Sequence, residues 1–136
     1  AGRAARGDGV NRRHRLLIVE DEAASLLAMT DYFDGQGYDV DAAHDLEAAE
    51  SFLAGRPYDV VLTDLRLSDE PNLDGLDVIS RVRRARPETC IVVLTAVRTA
   101  AVDDAAARRG ADALVQKPTP LPGLADVMAR LLAARG

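Results

Sequence analysis

Tyr58-Asp59-Val60-Val61-Leu62-Thr63-Asp64 decides how this chain folds. Val60, Val61 and Leu62 are residue types that suit a strand buried on both faces, as in a parallel sheet. The run ends abruptly in a carboxylate, Asp64. In open α/β folds, ligands and chemistry gather where strands leave the sheet at their carboxyl ends. The residues that converge on Asp64 therefore bear on function.

Two other runs match it. Leu16-Leu17-Ile18-Val19 comes earlier and stops at Glu20-Asp21-Glu22, and Ile91-Val92-Val93-Leu94 comes later and stops at Thr95. Weaker segments, Tyr38–Ala43 centred on Val40 and Ala113-Leu114-Val115 ending at Lys117-Pro118, bring the number of strands to five. Helical spacing fills the intervals. Leu26, Met29 and Phe33 mark a first helix, and Leu46, Ala49, Phe52 and Leu53 a second, with Asp45 as its N-cap. Gly75 begins a third, carrying Leu76, Ile79 and Val82. Residues 98–109 form an Ala-rich fourth, stopped by Gly110. Pro120 and Pro122 precede a fifth that bears Leu124, Val127, Met128, Leu131 and Leu132. Strand and helix thus alternate five times. Crossovers of this kind are right-handed in nearly all known cases and give a parallel sheet with helices on both faces. The expected fold is α/β, doubly wound, in three layers. If the first and third strands are neighbours, as in the flavodoxin-like order 2-1-3-4-5, their terminal acids share one pocket at the switch point.

The chain has 136 residues, enough for one domain with a full core. No apolar run approaches the roughly 18 residues of a membrane span. The N-terminal stretch lacks an apolar signal core, so a cytoplasmic location is expected. Cys90 is the only cysteine, which excludes an internal disulfide and fits a reducing compartment. Charge is uneven: residues 1–15 hold five arginines against Asp8, net +4, while the remainder carries −9 of the total −5. Residues 1–14 read as an unstructured basic tail or linker and 15–136 as the domain. The acidic body offers no basic reading face, so direct nucleic-acid binding by the domain is not expected. His14 lies among arginines with no companion metal ligand, and His44-Asp45 falls in a loop where a ligand or catalytic role for His44 is not expected.

The strand ends carry the chemistry. Glu20, Asp21 and, less firmly, Glu22 follow the first strand, Asp64 ends the third, Thr95 the fourth and Lys117 the fifth. Two like charges ~4 Å apart repel by about 4 kcal/mol at an effective dielectric of ~20. Proton uptake or a hard divalent cation relieves that cost. An all-oxygen ligand set favours Mg²⁺ over Zn²⁺, and Mg²⁺ typically combines one or two carboxylates with a phosphate. Lys117 is the only lysine, and as a compact point charge it can pair with a phosphoryl oxygen or with Asp64. Thr95 offers a hydroxyl. An aspartate so placed can be a nucleophile toward phosphorus. Singly, each residue has a plainer role as a helix N-terminal charge, turn former, strand former or surface cation. Their joint placement on successive strand ends carries the argument.

These residues resemble the receiver domains of two-component response regulators, over about residues 15–134. The likeness rests on Leu17-Ile18-Val19-Glu20-Asp21-Glu22, then Asp64-Leu65-Arg66-Leu67 with Asp74-Gly75, then Thr95-Ala96 and Lys117-Pro118. It implies that Asp64 accepts a phosphoryl group from a sensor histidine kinase or a phosphotransfer protein. It implies Mg²⁺ held by Asp21, Asp64 and the backbone carbonyl of Arg66, with Glu20 binding directly or through water. Thr95 and Lys117 would engage the phosphoryl oxygens, and movement of Thr95 toward the phosphate is the family's switch step. A cis Lys117–Pro118 peptide is implied as well. Such a domain is a signalling switch with self-catalysed phosphotransfer and autodephosphorylation, not an enzyme acting on a separate substrate. It controls an effector domain or protein, and homodimerisation through the fourth helix, fifth strand and fifth helix is compatible with it.

The sequence departs from the family in several places. Ser68 stands where a proline is usual, four residues past the acceptor, and Asp74 comes ten positions after Asp64, which lengthens the loop Ser68–Asp74. Leu114 occupies the place of the switch aromatic, three residues before Lys117. Arg66 and Val97 stand where the family tunes phosphoryl lifetime. Leu114 and the altered loop leave open a pseudo-receiver, a docking module not regulated by phosphorylation. A dehalogenase-type phosphohydrolase needs a second acid where this chain has Arg66. A flavin site would set a phosphate against Glu20-Asp21-Glu22.

Overall fold

In the computed structural model, which describes residues 13–67 and 74–135, strands and helices alternate. They are β1 (Arg15–Val19), α1 (Ala23–Gly35), β2 (Asp39–Ala43), α2 (Leu46–Gly55), β3 (Val60–Asp64), α3 (Asp74–Ala85), β4 (Cys90–Thr95), α4 (Ala100–Arg109), β5 (Ala113–Gln116) and α5 (Leu121–Arg135). Every strand pair is parallel, and the order across the sheet is β2-β1-β3-β4-β5. The five-stranded, doubly wound fold expected from the sequence is the one found.

The central strands are apolar throughout because both faces of the sheet are covered. Leu17, Val19, Val61, Ile91 and Val93 face α2, α3 and α4 and pack with Ala49, Val78, Ile79, Val82 and Ala106. The alternate residues Leu16, Ile18, Val60, Leu62, Val92 and Leu94 face α1 and α5, meeting Met29, Phe33, Leu124 and Met128. All of β3 and β4 is buried, whereas the edge strands β2 and β5 are mostly half-buried. Truncating a fully buried residue such as Ile79 to Ala costs about 2–5 kcal/mol.

Local chemistry sets the helix ends. Asp45 Oδ1 accepts from the Ala48 N–H at 2.8 Å, as its N-cap reading requires. Thr99 caps α4 by accepting from the Val102 N–H at 3.1 Å, so the helix starts at Ala100 and not at 98. Gly110 closes α4 with φ +109°, a left-handed conformation that glycine adopts freely. Its carbonyl accepts from Arg83 Nε and Nη2 at 3.2 and 2.7 Å, which ties α3 to α4. Pro122 lies in the first turn of α5, where a missing N–H breaks no helical bond.

Arg13 and His14, part of the stretch read as a tail, are held to the body. Arg13 Nη2 donates to the Tyr38 carbonyl, and the His14 carbonyl accepts from the Asp39 N–H at 2.9 Å. Residues 1–12 and most of the long loop, 68–73, lie outside the described residues. Among the described residues, no helix is long and apolar enough to cross a membrane.

Candidate functional site

The sheet delivers the site residues by continuing its own ladders. The Glu20 N–H donates to the Ala43 carbonyl at 3.0 Å, which extends the β1–β2 pairing by one residue. The Leu65 N–H donates to the Leu94 carbonyl and the Lys117 N–H to the Thr95 carbonyl, each at 2.8 Å. Glu20, Asp64, Thr95 and Lys117 therefore emerge side by side at the carboxyl edge. They line a cleft of about 560 Å³ together with Asp21 and Arg66.

Within it, Glu20, Asp21 and Asp64 each offer a carboxylate oxygen, and these lie within 4.8 Å of one another. Glu20 and Asp64 are 2% and 3% exposed, too little for water to screen their repulsion. Lys117 Nζ stands 2.8 Å from Asp64 Oδ1 and 3.8 Å from Glu20 Oε1. Burial first, then the neighbouring Asp64, pushes the Glu20 carboxyl up to about 7, against the opposing Glu22 N–H and Lys117 charge. Burial pulls the Lys117 ammonium down, but the contact with Asp64 and the charges of Asp64, Glu20 and Asp21 outweigh it and leave Lys117 above its ordinary value. Lys117 thus feels all three acids.

This donor set fits a hard divalent cation. The ion contact between Lys117 and Asp64 is short but poorly directed, so Asp64 Oδ1 is a buried oxygen without a well-aligned hydrogen-bond donor. Buried acceptors without donors are rare in folded proteins and need an explanation. Clustered carboxylate oxygens without nitrogen or sulfur ligands are the coordination that Mg²⁺ or Ca²⁺ takes.

The remaining expected residues fall into place unequally. Thr95 borders the cleft, yet its hydroxyl donates to the Val97 carbonyl at 2.8 Å and not to an acid. Glu22 is occupied as the N-cap of α1, where it accepts from the Ser25 N–H at 2.9 Å and the Ser25 hydroxyl at 2.6 Å. The Ser25 hydroxyl and then the backbone donors hold the Glu22 carboxyl below its usual range. Arg66 borders the cleft with an exposed side chain. His14 and His44 pair with Asp59 and Asp45 at 3.7 and 3.4 Å and take no part in the acidic cluster. The Lys117–Pro118 peptide is cis.

Gly75 does more than begin a helix. A Cβ there would lie 2.2 Å from the Asp64 carbonyl oxygen and 2.7 Å from Leu65 Cα. Its N–H donates to the Leu65 carbonyl at 2.9 Å. The first turn of α3 thus rests directly on the backbone that carries Asp64. The Asp74-Gly75 pair was the sequence signal, but its contact partner was not legible there.

The family described as response regulator receiver domain matches residues 16–129 of this chain. The photosynthetic apparatus regulatory protein RegA of Rhodovulum sulfidophilum is 34% identical over 117 residues, covering 86% of this chain and 61% of RegA. The chain spans less than two thirds of the length of the curated relatives it matches. A CheY-like receiver domain from Methanospirillum hungatei superposes with a TM-score of 0.84 at 22% identity, over 90% of this chain and 96% of that one. A response regulator from Burkholderia pseudomallei, whose structure has a phosphorylated aspartic acid, a calcium ion and citrate, superposes at 0.77 with 21% identity, over 90% and 73%.

Proposed function

This chain belongs to the response regulator receiver domain family, and on that premise we propose that Asp64 accepts a phosphoryl group from a phosphohistidine of a sensor histidine kinase or phosphotransfer protein. The observation that carries the proposal is a buried Asp64 set between Lys117 at 2.8 Å and the carboxylates of Glu20 and Asp21. The phosphorylated aspartate of the Burkholderia pseudomallei regulator supports the same reading.

In the transfer, a carboxylate oxygen of Asp64 attacks phosphorus. The O–P bond forms as the P–N bond to imidazole breaks, and the departing nitrogen keeps the electron pair and is reprotonated from solvent. Lys117 passes its charge from the Asp64 carboxylate to a phosphoryl oxygen. Thr95 can donate its hydroxyl to a second. Glu20, Asp21, Asp64 and the Arg66 carbonyl would hold Mg²⁺, which supplies positive charge to neutralise the acids and the phosphoryl oxygens. Hydrolysis reverses the state: water attacks phosphorus, the O–P bond to Asp64 breaks, and phosphate leaves. The domain is then a switch whose chemistry acts on itself and whose state is read by an effector domain or protein. A cytoplasmic location belongs to the same reading and is supported by the unpaired Cys90. A docking module that never takes a phosphoryl group would have no use for Asp21, Asp64, Thr95 and Lys117 gathered in one cleft.

Beryllofluoride mimics the phosphoryl group on a carboxylate and tests the proposal. With Mg²⁺, titration is expected to shift the NMR resonances of residues lining the cleft in wild type and not in Asp64→Asn. No shift in wild type at millimolar reagent would overturn it.

A further inference from the structure

We propose that Arg98 is a positioning residue for Thr95, resisting the turn of its hydroxyl toward a phosphoryl group and carrying that turn to the edge strand β5. This rests on the reading of Asp64 as phosphoacceptor.

The Thr95 hydroxyl has one proton, and it is committed to the Val97 carbonyl at 2.8 Å. The Val97 N–H returns a longer bond to Thr95 Oγ1 at 3.3 Å. A phosphoryl group on Asp64 presents oxygens that need donors, and Thr95 is the one hydroxyl lining the cleft among the described residues. Donating to it means leaving the Val97 carbonyl. A peptide carbonyl that loses its donor must find another or turn toward water, so the segment 96–98 has to re-form.

That segment is tethered at its far end. Arg98 Nη1 donates to the Leu114 carbonyl of β5 at 2.9 Å, and Arg98 Nε pairs with Asp103 Oδ1 in the first turns of α4, also at 2.9 Å. Gln116 adds a weak bond to the Ala96 carbonyl at 3.4 Å. The guanidinium fork therefore spans loop, helix and edge strand, which a single-point cation could not do. Its backbone acceptor on β5 belongs to Leu114, whose own side chain has no polar atom to make such a link. Arg98 thus stabilises the arrangement in which Thr95 is turned away, and its tie to β5 yields when Thr95 turns toward the acceptor.

The test is a double-mutant cycle on the full chain, with Mg²⁺ and beryllofluoride as the probe and affinity read by NMR titration. Arg98 and Asp103 are 44% and 45% exposed, so solvent screens their pair, and Arg98→Ala should tighten binding by only roughly 3- to 10-fold. Arg98→Lys, which can satisfy one of the two acceptors, should fall between. In a Thr95→Ala background, Arg98→Ala should change affinity by less than roughly 2-fold, because distant or unlinked effects add whereas linked ones do not. A purely structural role for Arg98 would move both backgrounds alike. Unchanged or weaker binding by Arg98→Ala, or equal tightening with and without Thr95, overturns the proposal while leaving Asp64 as acceptor. Failure of wild type itself to bind would remove the acceptor reading, and this inference with it.

Discussion

Gly75→Ala should damage both stability and the proposed acceptor site at Asp64, and the structure sets the size of the effect. The added methyl would sit 2.2 Å from the Asp64 carbonyl oxygen and 2.8 Å from that of Leu65. Both are backbone atoms of the buried β3 terminus, so no flexible side chain can swing aside. Forcing atoms into a packed site costs about 1–3 kcal/mol. Weakening the Gly75–Leu65 hydrogen bond adds about 1 kcal/mol. Ala gains back about 0.5–1 kcal/mol in helix propensity. The net is about 2 kcal/mol of destabilisation, or a Tm roughly 5–12 °C lower for a domain of this size. Urea unfolding followed by circular dichroism measures it. Gly35→Ala is the control: nothing lies within 4 Å of its new Cβ and its φ is not positive, so it should be neutral or stabilising by up to about 1 kcal/mol. Because the clash falls on the Asp64 peptide, Gly75→Ala should also weaken beryllofluoride binding, and Gly35→Ala should not. A Gly75→Ala protein within about 0.5 kcal/mol of wild type in stability would refute the contact argument, since surface changes away from such contacts fall in that range.

Two further predictions address the opposite edge of the sheet and the core. Burial alone would raise the Asp59 pKa, but the Arg15 N–H at 2.8 Å and Arg135 at 3.0 Å outweigh it and hold the carboxyl below its usual range. That stabilisation is present above the unfolded value near 3.8 and is lost as pH falls through the folded value. Asp59→Asn should cost under about 1 kcal/mol at pH 7, after screening at a one-third-exposed group. Denaturation curves for the two proteins should converge below pH 3.8, and a gap that is constant with pH would contradict the assignment. Cys90 is 5% exposed and burial pushes its thiol up. Its reaction with a disulfide reagent at pH 8 should be slow and limited by opening of the fold, and denaturant should accelerate it; prompt reaction of the native protein would contradict its burial.

How legible the fold was varied with burial. β1, β3 and β4 announced themselves because strands covered on both faces carry unbroken apolar runs such as Ile91-Val92-Val93-Leu94. β2 was fainter because an edge strand tolerates polar residues: Asp41 sits in it, holding the Tyr58 hydroxyl at 2.6 Å and Arg56 at 3.0 Å. Glu20, Asp21, Asp64 and Lys117 were legible from strand ends alone, because a parallel sheet gathers those ends whatever the details of packing. The direction of the Thr95 hydroxyl, the Arg98 fork and the Asp64 contact of Gly75 were not. Each depends on which backbone atom lies within about 3 Å in the folded chain, two residues away for Thr95 and farther for the other two, and neither composition nor periodicity encodes that. Nor did the acids after β1 divide themselves in the sequence: only folding shows that Glu22 caps α1 while Glu20 faces Asp64.

The most direct measurement for the account as a whole is phosphoryl incorporation from acetyl phosphate and Mg²⁺, followed by intact mass and peptide mapping. Wild type should take up one acid-stable, base-labile phosphoryl group that maps to Asp64, and Asp64→Asn should take up none. A label on any other residue, or one that survives in Asp64→Asn, would contradict the assignment of Asp64 as the acceptor.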